Sequence, residues 1–537
     1  MEKIRREQMD TDLLELGDRK LHRPQRVAVS RQGMIAAAHY HATEAGAEML
    51  AAGGNAIDAA VAVAFTLGVC EPASSGLGGQ TMMLIHTVEP KRTFALDGSS
   101  RAPNRATPET LSKTDRRRGY KATTVPSTPA VLQYALTTYG KLKLSKVLEP
   151  AIRLAEEGYE VSLLQYLLTR RDLKHLRERS AAPFFLRDGV RPYPAGSKFR
   201  QPVLAATLRR LVTAGIEDFY QGKIAEEIHA DMESNEGLLH KDDLAQIPQP
   251  IERKPVTGRF EGCRVFTFPP PGAGRTLIQM LNVYQQLKPS RRDFDTPEGA
   301  IALAETIRRA FLDRQDRPFD PSFFPQATGE RMLKEDYAQL VARQIARRIR
   351  TAGDTTHLSV MDREGNIVAL TQSIERVYGS CVATPELGFL YNNYMSAFEY
   401  EDISHPYHMR PNAAPWASVA PTIVFRGRKP WLALGSPGSE RITPSIFQVL
   451  VRLQKMPPLA AVDAPRLYCS LRGKVSLEAA RIRNDIPEAL KRHGYEIDRR
   501  DPYSFFMGCV QLVVCEGDEF IGMADPRRDG SAAGPPP

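Results

Sequence analysis

Asp354-Thr355-Thr356-His357-Leu358-Ser359 is the stretch whose reading decides the rest of the chain. Before it, Leu333, Tyr337, Val341, Ile345 and Ile349 recur every fourth residue, which lines one face of a helix. Thr351-Ala352-Gly353 breaks that spacing. From Thr356 the period is two. Thr356, Leu358 and Val360 alternate with His357, Ser359 and Met361, the pattern of a strand. Asp362-Arg363-Glu364-Gly365-Asn366 supplies turn residues, and Ile367-Val368-Ala369-Leu370-Thr371 reads as the returning strand. Thr355 therefore sits where a loop enters a hairpin. A threonine at a strand start is ordinary, and on this stretch alone β-propensity explains it.

Cutting the chain before Thr355 would change its chemistry. A free threonine α-amine has a lower pKa than lysine and takes the proton from the hydroxyl of the same residue. One broken peptide bond then makes both nucleophile and base. Asp354-Thr355-Thr356-His357 followed by a hairpin resembles the processing site of the γ-glutamyltransferases, a family of N-terminal-nucleophile hydrolases.

Other segments resemble the same family in order. Gly46, Gly53-Gly54-Asn55-Ala56, Asp58-Ala59-Ala60 and Gly76-Leu77-Gly78-Gly79 stand as in its N-terminal signature. The helix text Ala151–Tyr159, the proline run Pro269-Pro270-Pro271-Gly272-Ala273-Gly274, and Phe311, Asp313 and Arg314 match further on. Asp525-Pro526-Arg527-Arg528-Asp529-Gly530 is the family's closing motif. The resemblance covers roughly residues 30 to 530. It implies an α/β fold, a four-layer αββα sandwich with a large helical portion in the N-terminal part. The expected division is a polar arm (1–30), a large-subunit segment (31–354) and a small-subunit segment (355–537), the last two forming one intertwined unit.

Composition sets broader limits. The chain has 537 residues, 42% hydrophobic and 25% charged, as in an ordinary globular protein. The net charge is +9, but the 72 basic and 63 acidic residues are interspersed, and the densest basic cluster, Arg343–Arg350, shares a helix with the apolar stripe. That reads as a solvated face, so no nucleic-acid partner is expected. The glycine-rich loop near Gly76 lacks the lysine of a phosphate loop. The six cysteines show no CxxC pair or metal-ligand spacing, so no metal or cofactor is expected, and free thiols fit best. The first twenty residues carry no apolar core, and the longest apolar run, Ala59–Val69, is short for a bilayer. A cytoplasmic protein off the membrane is the expectation.

The site follows from the resemblance. Thr355 is the expected nucleophile, attacking first the Asp354 carbonyl and later the substrate. Thr371 and Ser373 lie two apart on the return strand and face one side. The resemblance gives Ser373 a hydrogen bond to the nucleophile, while Thr371 is equally well read as a polar sheet residue. Gly435-Ser436-Pro437-Gly438-Ser439 resembles the family's GSPGG, so the amides of Gly438 and Ser439 are the expected oxyanion donors.

Substrate recognition departs from the family. Its carboxylate-binding arginine falls at Ser99, with Arg101 two residues on. Its asparagine falls at Glu375, its amine-binding aspartate at Ala397, and its paired serines at Ala417 and Ser418. Either Arg101 or Arg376 takes the carboxylate and Glu375 the amine, or the acyl group is not γ-glutamyl. Ser99, Arg101, Glu375, Arg376, Tyr394 and Ser418 are the candidate binding residues. The expected partners are a small-molecule amide, water or an amine acceptor, and the paired fragments of the cut chain, with further oligomerisation open. The leading reading is a γ-glutamyl amide hydrolase and transferase acting on substrates such as glutathione. The alternatives are an acylase on another amide, of oxamate or cephalosporin type, and an uncut, inactive binding homologue.

The purified protein is expected to run on a denaturing gel as fragments 1–354 and 355–537. Thr355→Ala, without the hydroxyl, stays one band. An intact wild-type chain that still turns over substrate overturns the reading.

Overall fold

The computed structural model describes residues 24–246, 249–316, 333–344 and 355–535. Asp354 and the Ile345–Ile349 end of the predicted helix lie outside the described residues, whereas Glu335–Gln344 is helical as expected. Fourteen strands build the two large sheets. They are β1 (Val27–Ser30), β2 (Gly33–Ala37), β3 (Gln80–Thr87), β4 (Arg92–Gly98), β5 (Ile251–Arg253), β6 (Val256–Phe260) and β7 (Cys263–Thr267). After the central break come β8 (Thr356–Asp362), β9 (Ile367–Ser373), β10 (Thr422–Arg426), β11 (Lys429–Gly435), β12 (Gln511–Glu516), β13 (Glu519–Ala524) and β14 (Ser531–Ala533). One sheet runs β14-β2-β8-β9-β3-β4-β5, the other β1-β13-β12-β11-β10-β7-β6. The helices that matter for the site are α1 (Tyr40–Ala51), α2 (Ala56–Cys70), α3 (Gly274–Gln286), α4 (Pro297–Asp316) and α5 (Ile442–Arg452).

Strand alternation produces the four layers. Leu358 and Val360 on β8, with Val368 and Leu370 on β9, join Ala60, Val63 and Leu67 of α2 in one core. Met361, Ile367 and Ala369 point the other way and meet Ile423, Ala433 and Val513 of the second sheet. That sheet's far face, including Leu432, Leu434 and Leu512, packs on α3, α4 and α5. The expected αββα sandwich is present. Asn55 caps α2 in a reciprocal box with Asp58, and fourteen of its fifteen residues are buried. Among the described residues no helix is long and apolar enough to cross a membrane. None of the six cysteines forms a disulfide.

Ordered chain begins earlier than the polar composition of residues 1–30 implied, because β1 pairs with β13 from Val27 to Ser30. Each large sheet mixes strands from before and after Thr355, so the segments 31–354 and 355–537 share both sheets.

The sheets approach closely at one end. A Cβ placed on Gly435 would stand 2.2 Å from Cε1 of His357, far inside van der Waals contact. Glycine at this position lets the imidazole lie on the opposing backbone. Gly435→Ala is therefore expected to lower stability by about 1–3 kcal/mol and to cost activity as well, since β8 and the loop after β11 must move apart. Calorimetric unfolding of the variant checks this, and an unchanged midpoint with full activity contradicts it.

Candidate active site

Thr355 is buried and immediately precedes β8. The β8–β9 ladder pairs Thr356 with Gln372 and His357 with Thr371, so its next step sets Thr355 opposite Ser373. Paired residues of an antiparallel ladder share a face, so Thr355 and Ser373 face the second sheet, and Thr371 shares that face with Ser373, as expected from their spacing. Thr356 faces the helical layer, where its hydroxyl donates to Glu71 Oε2 (2.5 Å). Arg528 Nη1 grips Glu71 Oε1 at 2.7 Å and also donates to Ser74 Oγ. The closing motif thereby reaches the residue after Thr355. Arg527 anchors that motif through Glu478 (2.6 Å) and Asp525 (3.0 Å), and Arg466 also pairs with Asp525 (2.5 Å).

His357 occupies the face that Thr355 uses. Its Nδ1 is 2.8 Å from Thr371 Oγ1 and its Nε2 3.1 Å from Ser359 Oγ. Ser359 spends its own hydrogen on the Gln511 carbonyl. Nε2 is then the ring donor, and Thr371 gives its proton to Nδ1. Full burial pushes the His357 pKa down to about 3, so the ring is neutral at working pH. Thr371 serves the histidine and has no second hydrogen for the nucleophile.

Ser373 Oγ accepts from the Glu375 amide at 2.8 Å. The buried Tyr394 hydroxyl is hydrogen-bonded to Ser373 and to Gln80, the residue paired with Ser373 on β3. Burial, then the nearby Glu375 charge, raises the Tyr394 pKa, so its proton stays on. Tyr394 thus supports Ser373 from below.

The oxyanion candidates lie beyond Gly435. Gly438, at φ 119°, opens a 3-10 turn, Ser439–Arg441, that runs straight into α5. Amides at such a start have no acceptor in the preceding turn, and the helix dipole makes them attractive to negative charge. Ser439 replaces the expected glycine and sits at φ 54°, in the left-handed region. The conformation glycine favours is kept, under strain.

A cavity of about 440 Å³ opens beside these groups, with Glu375, Arg376, Ala397, Ser418 and Ser439 in its wall. Phe398, Tyr407 and Trp416 make the wall partly aromatic. Glu375 is held at φ 74°, a conformation non-glycine residues rarely adopt. Arg314, on α4, donates to the Ala417 carbonyl (2.5 Å) and lies 4.2 Å from the Trp416 ring centroid, fixing that wall. The proline run supports it too, through Ala417 N to the Pro271 carbonyl and Ala273 N to the Val419 carbonyl.

Ser99 and Arg101 are elsewhere. The Ser99 hydroxyl donates to Asp97 (2.6 Å), which also pairs with Arg253. Arg101 bridges to Val125 and is not among the residues lining this cavity. Ser100, between them, points to Gln80 instead. This cavity is lined by Glu375, Arg376, Ser418 and Ser439, while Ser99, Arg101 and Tyr394, like Thr355 and Ser373, are not among its lining residues. Sequence reasoning assigned no role to Glu71, Gln80, His357 or Arg528. The family's closing motif and the DTTH run contained Arg528 and His357, but nothing in linear order linked Arg528 to Glu71.

The layered fold and a threonine at the head of a central strand define an N-terminal-nucleophile hydrolase. A sequence model of the gamma-glutamyltranspeptidase family matches residues 42–535, and the chain belongs to that family. It is 31% identical over 535 residues to the glutathione hydrolase proenzyme of Escherichia coli, covering 93% of this chain and 91% of that one. It is 34% identical over 503 residues to the acylase ACY 1 proenzyme of Pseudomonas sp. strain V22, covering 88% of each. The cephalosporin acylase structure from Bacillus halodurans superposes with a TM-score of 0.87 at 28% identity, over 97% of this chain and 99% of that one.

Ser439→Gly is expected to keep activity and to raise stability by up to about 1 kcal/mol through relief of the left-handed strain. Ser439→Pro cannot reach φ 54° and removes the amide donor. It is expected to lower kcat by about two to three orders of magnitude. Steady-state rates and unfolding midpoints of both variants test the assignment. Loss of activity in Ser439→Gly assigns the work to the side chain instead.

Proposed function

We propose that the protein is an autoprocessing N-terminal-threonine amidohydrolase and acyltransferase acting on γ-glutamyl amides such as glutathione. The Thr355 hydroxyl attacks the Asp354 carbonyl and the peptide C–N bond breaks, leaving an ester and the free Thr355 amine; water then splits the ester, releasing the Thr355 hydroxyl and the Asp354 carboxylate. That amine, near its unperturbed pKa of about 8, takes the hydroxyl proton as the oxygen attacks the substrate carbonyl. The amides of Gly438 and Ser439 hold the oxyanion. The leaving amine departs with the proton, and water or a second amine releases the acyl group.

One observation carries the substrate reading. Adjacent side chains of opposite charge, Glu375 and Arg376, line the same cavity as Ser439. An α-amino-acid head presents both charges, and a buried charge needs a partner. The Arg376 fork suits the carboxylate, and Glu375 takes the ammonium in the place that Ala397 leaves without a charge. The second reading, an acylase on an amide lacking the α-amine, is favoured by Ala397 and by the aromatic wall of Phe398, Tyr407 and Trp416. The similarity to an acylase proenzyme adds to it.

Paired anilides separate the two. γ-Glutamyl and glutaryl p-nitroanilide differ only in the α-amine. The γ-glutamyl compound is expected to be the better substrate, and Arg376→Ala is expected to raise its KM by the equivalent of about 1.5–3 kcal/mol. Arg101→Ala should leave KM nearly unchanged, and the gel pattern of processing should be normal in both variants. Cleavage of the glutaryl compound alone assigns the acylase activity.

A further inference from the structure

A second cavity, of about 600 Å³, shares Arg376 with the first. Its wall also carries Arg118, Arg171, Arg441 and Arg500, with His175, Phe505 and Phe506, and Asp172 as the one carboxylate among its described lining residues. The two cavities flank the Ser439–Arg441 turn, because Ser439 and Glu440 line the first and Arg441 the second. Both oxygens of Asp172 are engaged, Oδ1 by Arg118 at 2.7 Å and Oδ2 by Arg171 at 3.1 Å. Arg118 also donates to the carbonyls of Val377 and Gly379. Arg500 pairs with Asp498 at 2.5 Å. The Arg376 Nε is buried with no acceptor among the described residues.

So many guanidinium groups around one hollow repel each other, and that cost needs a reason. Burial, together with neighbouring Arg118 and Arg117 and despite nearby Glu375, holds the Arg376 pKa below the usual arginine range. Burial and then Arg118 and Arg179 likewise hold His175 low. The cations are fixed in place. The Arg441 and Arg500 guanidiniums lie 4.4 and 4.0 Å from the Phe506 ring centroid. Stacking of this kind orients the planar fork for an incoming oxyanion before the ligand arrives.

We propose that this second cavity is a binding site for a di- or polyanion, a molecule bearing two or more carboxylates or phosphates. A single carboxylate is answered by one arginine fork, and five arginines, with Asp172 shared by Arg118 and Arg171 and Asp498 on Arg500, leave more positive charge than one further carboxylate answers. The inference stands apart from which acyl group the first cavity takes. The anion belongs either to the amine side of the substrate or to a free effector, and the two sources share the same recognition chemistry.

The test uses processed wild-type enzyme and two variants, Arg171→Gln with Arg500→Gln together, and the charge reversal Arg171→Glu at the half-exposed rim. Neither Arg171 nor Arg500 lines the first cavity. Isothermal titration with inorganic pyrophosphate at low salt is expected to show saturable binding to the wild type, weakened roughly tenfold or more in each variant. Hydrolysis of an amide with an uncharged leaving amine is expected to be the same in all three proteins. An amide of the same acyl group with a doubly anionic leaving amine distinguishes the sources. A higher kcat/KM than for the uncharged compound, lost in the variants, places the anion on the substrate. Pyrophosphate binding without that preference makes it a separate effector. Absence of saturable pyrophosphate binding to the wild type, or equal affinity in the variants, overturns the proposal. Because binding is read directly, that failure is distinct from any failure of the amide reading.

Discussion

The contact between the His357 ring and the bare backbone of Gly435 is what the site depends on. It is made by residues on two different sheets, and it fixes how closely those sheets approach at one end. His357 is two residues from Thr355, and Gly435 is three residues from Gly438. Setting that one distance therefore sets Thr355 against the amides of Gly438 and Ser439. The ring is held from both sides, by Thr371 and Ser359, and burial keeps it neutral. A charged ring there would carry a large desolvation cost in the same place.

Alternation along β8 divides the contacts around Thr355. The inter-sheet face carries Thr355, His357 and the paired Ser373, with Tyr394 and Gln80 beneath Ser373. The helical face carries Thr356, tied through Glu71 to Arg528 near the chain's end. The backbone at the head of β8 is thus clamped by hydrogen bonds on both faces. Such a clamp suits a residue whose amine and hydroxyl must both be aimed, since misplacement by about 1 Å already costs catalysis heavily.

The cavity beside Ser439 departs from the family's residues, while the motifs around Thr355 match them. Ser439 keeps the left-handed backbone that glycine would occupy without strain. Glu375 is held in an equally rare conformation that brings a carboxylate to the wall beside Arg376. The wall opposite is positioned from behind by Arg314 and by the proline run. The residues that depart from the family pattern, Glu375, Ala397 and Ser439, line this cavity and lie outside the strands beside Thr355.

Much was legible in linear order. Period-two alternation in Thr356–Met361 and Ile367–Thr371 predicted the hairpin, and the two-residue step predicted the shared face of Thr371 and Ser373. The apolar run Ala59–Val69 falls within α2, which is buried almost throughout. Ordered motifs, from Gly53-Gly54-Asn55-Ala56 to Asp525-Pro526-Arg527-Arg528-Asp529-Gly530, identified the family. These are local patterns, and local sequence fixes strand faces, caps and turns directly. What tertiary structure decided was every pairing across long separations. It gave the Thr371 proton to His357, joined Arg528 to Glu71 across 457 residues, and turned Ser99 toward Asp97. It also put Arg376, and not Arg101, in the cavity wall. An even step between Ser99 and Arg101 specifies a side of the chain but not what packs on that side. That depends on where β4, the loop after β9 and the turn before α5 come together, and only the folded chain sets it.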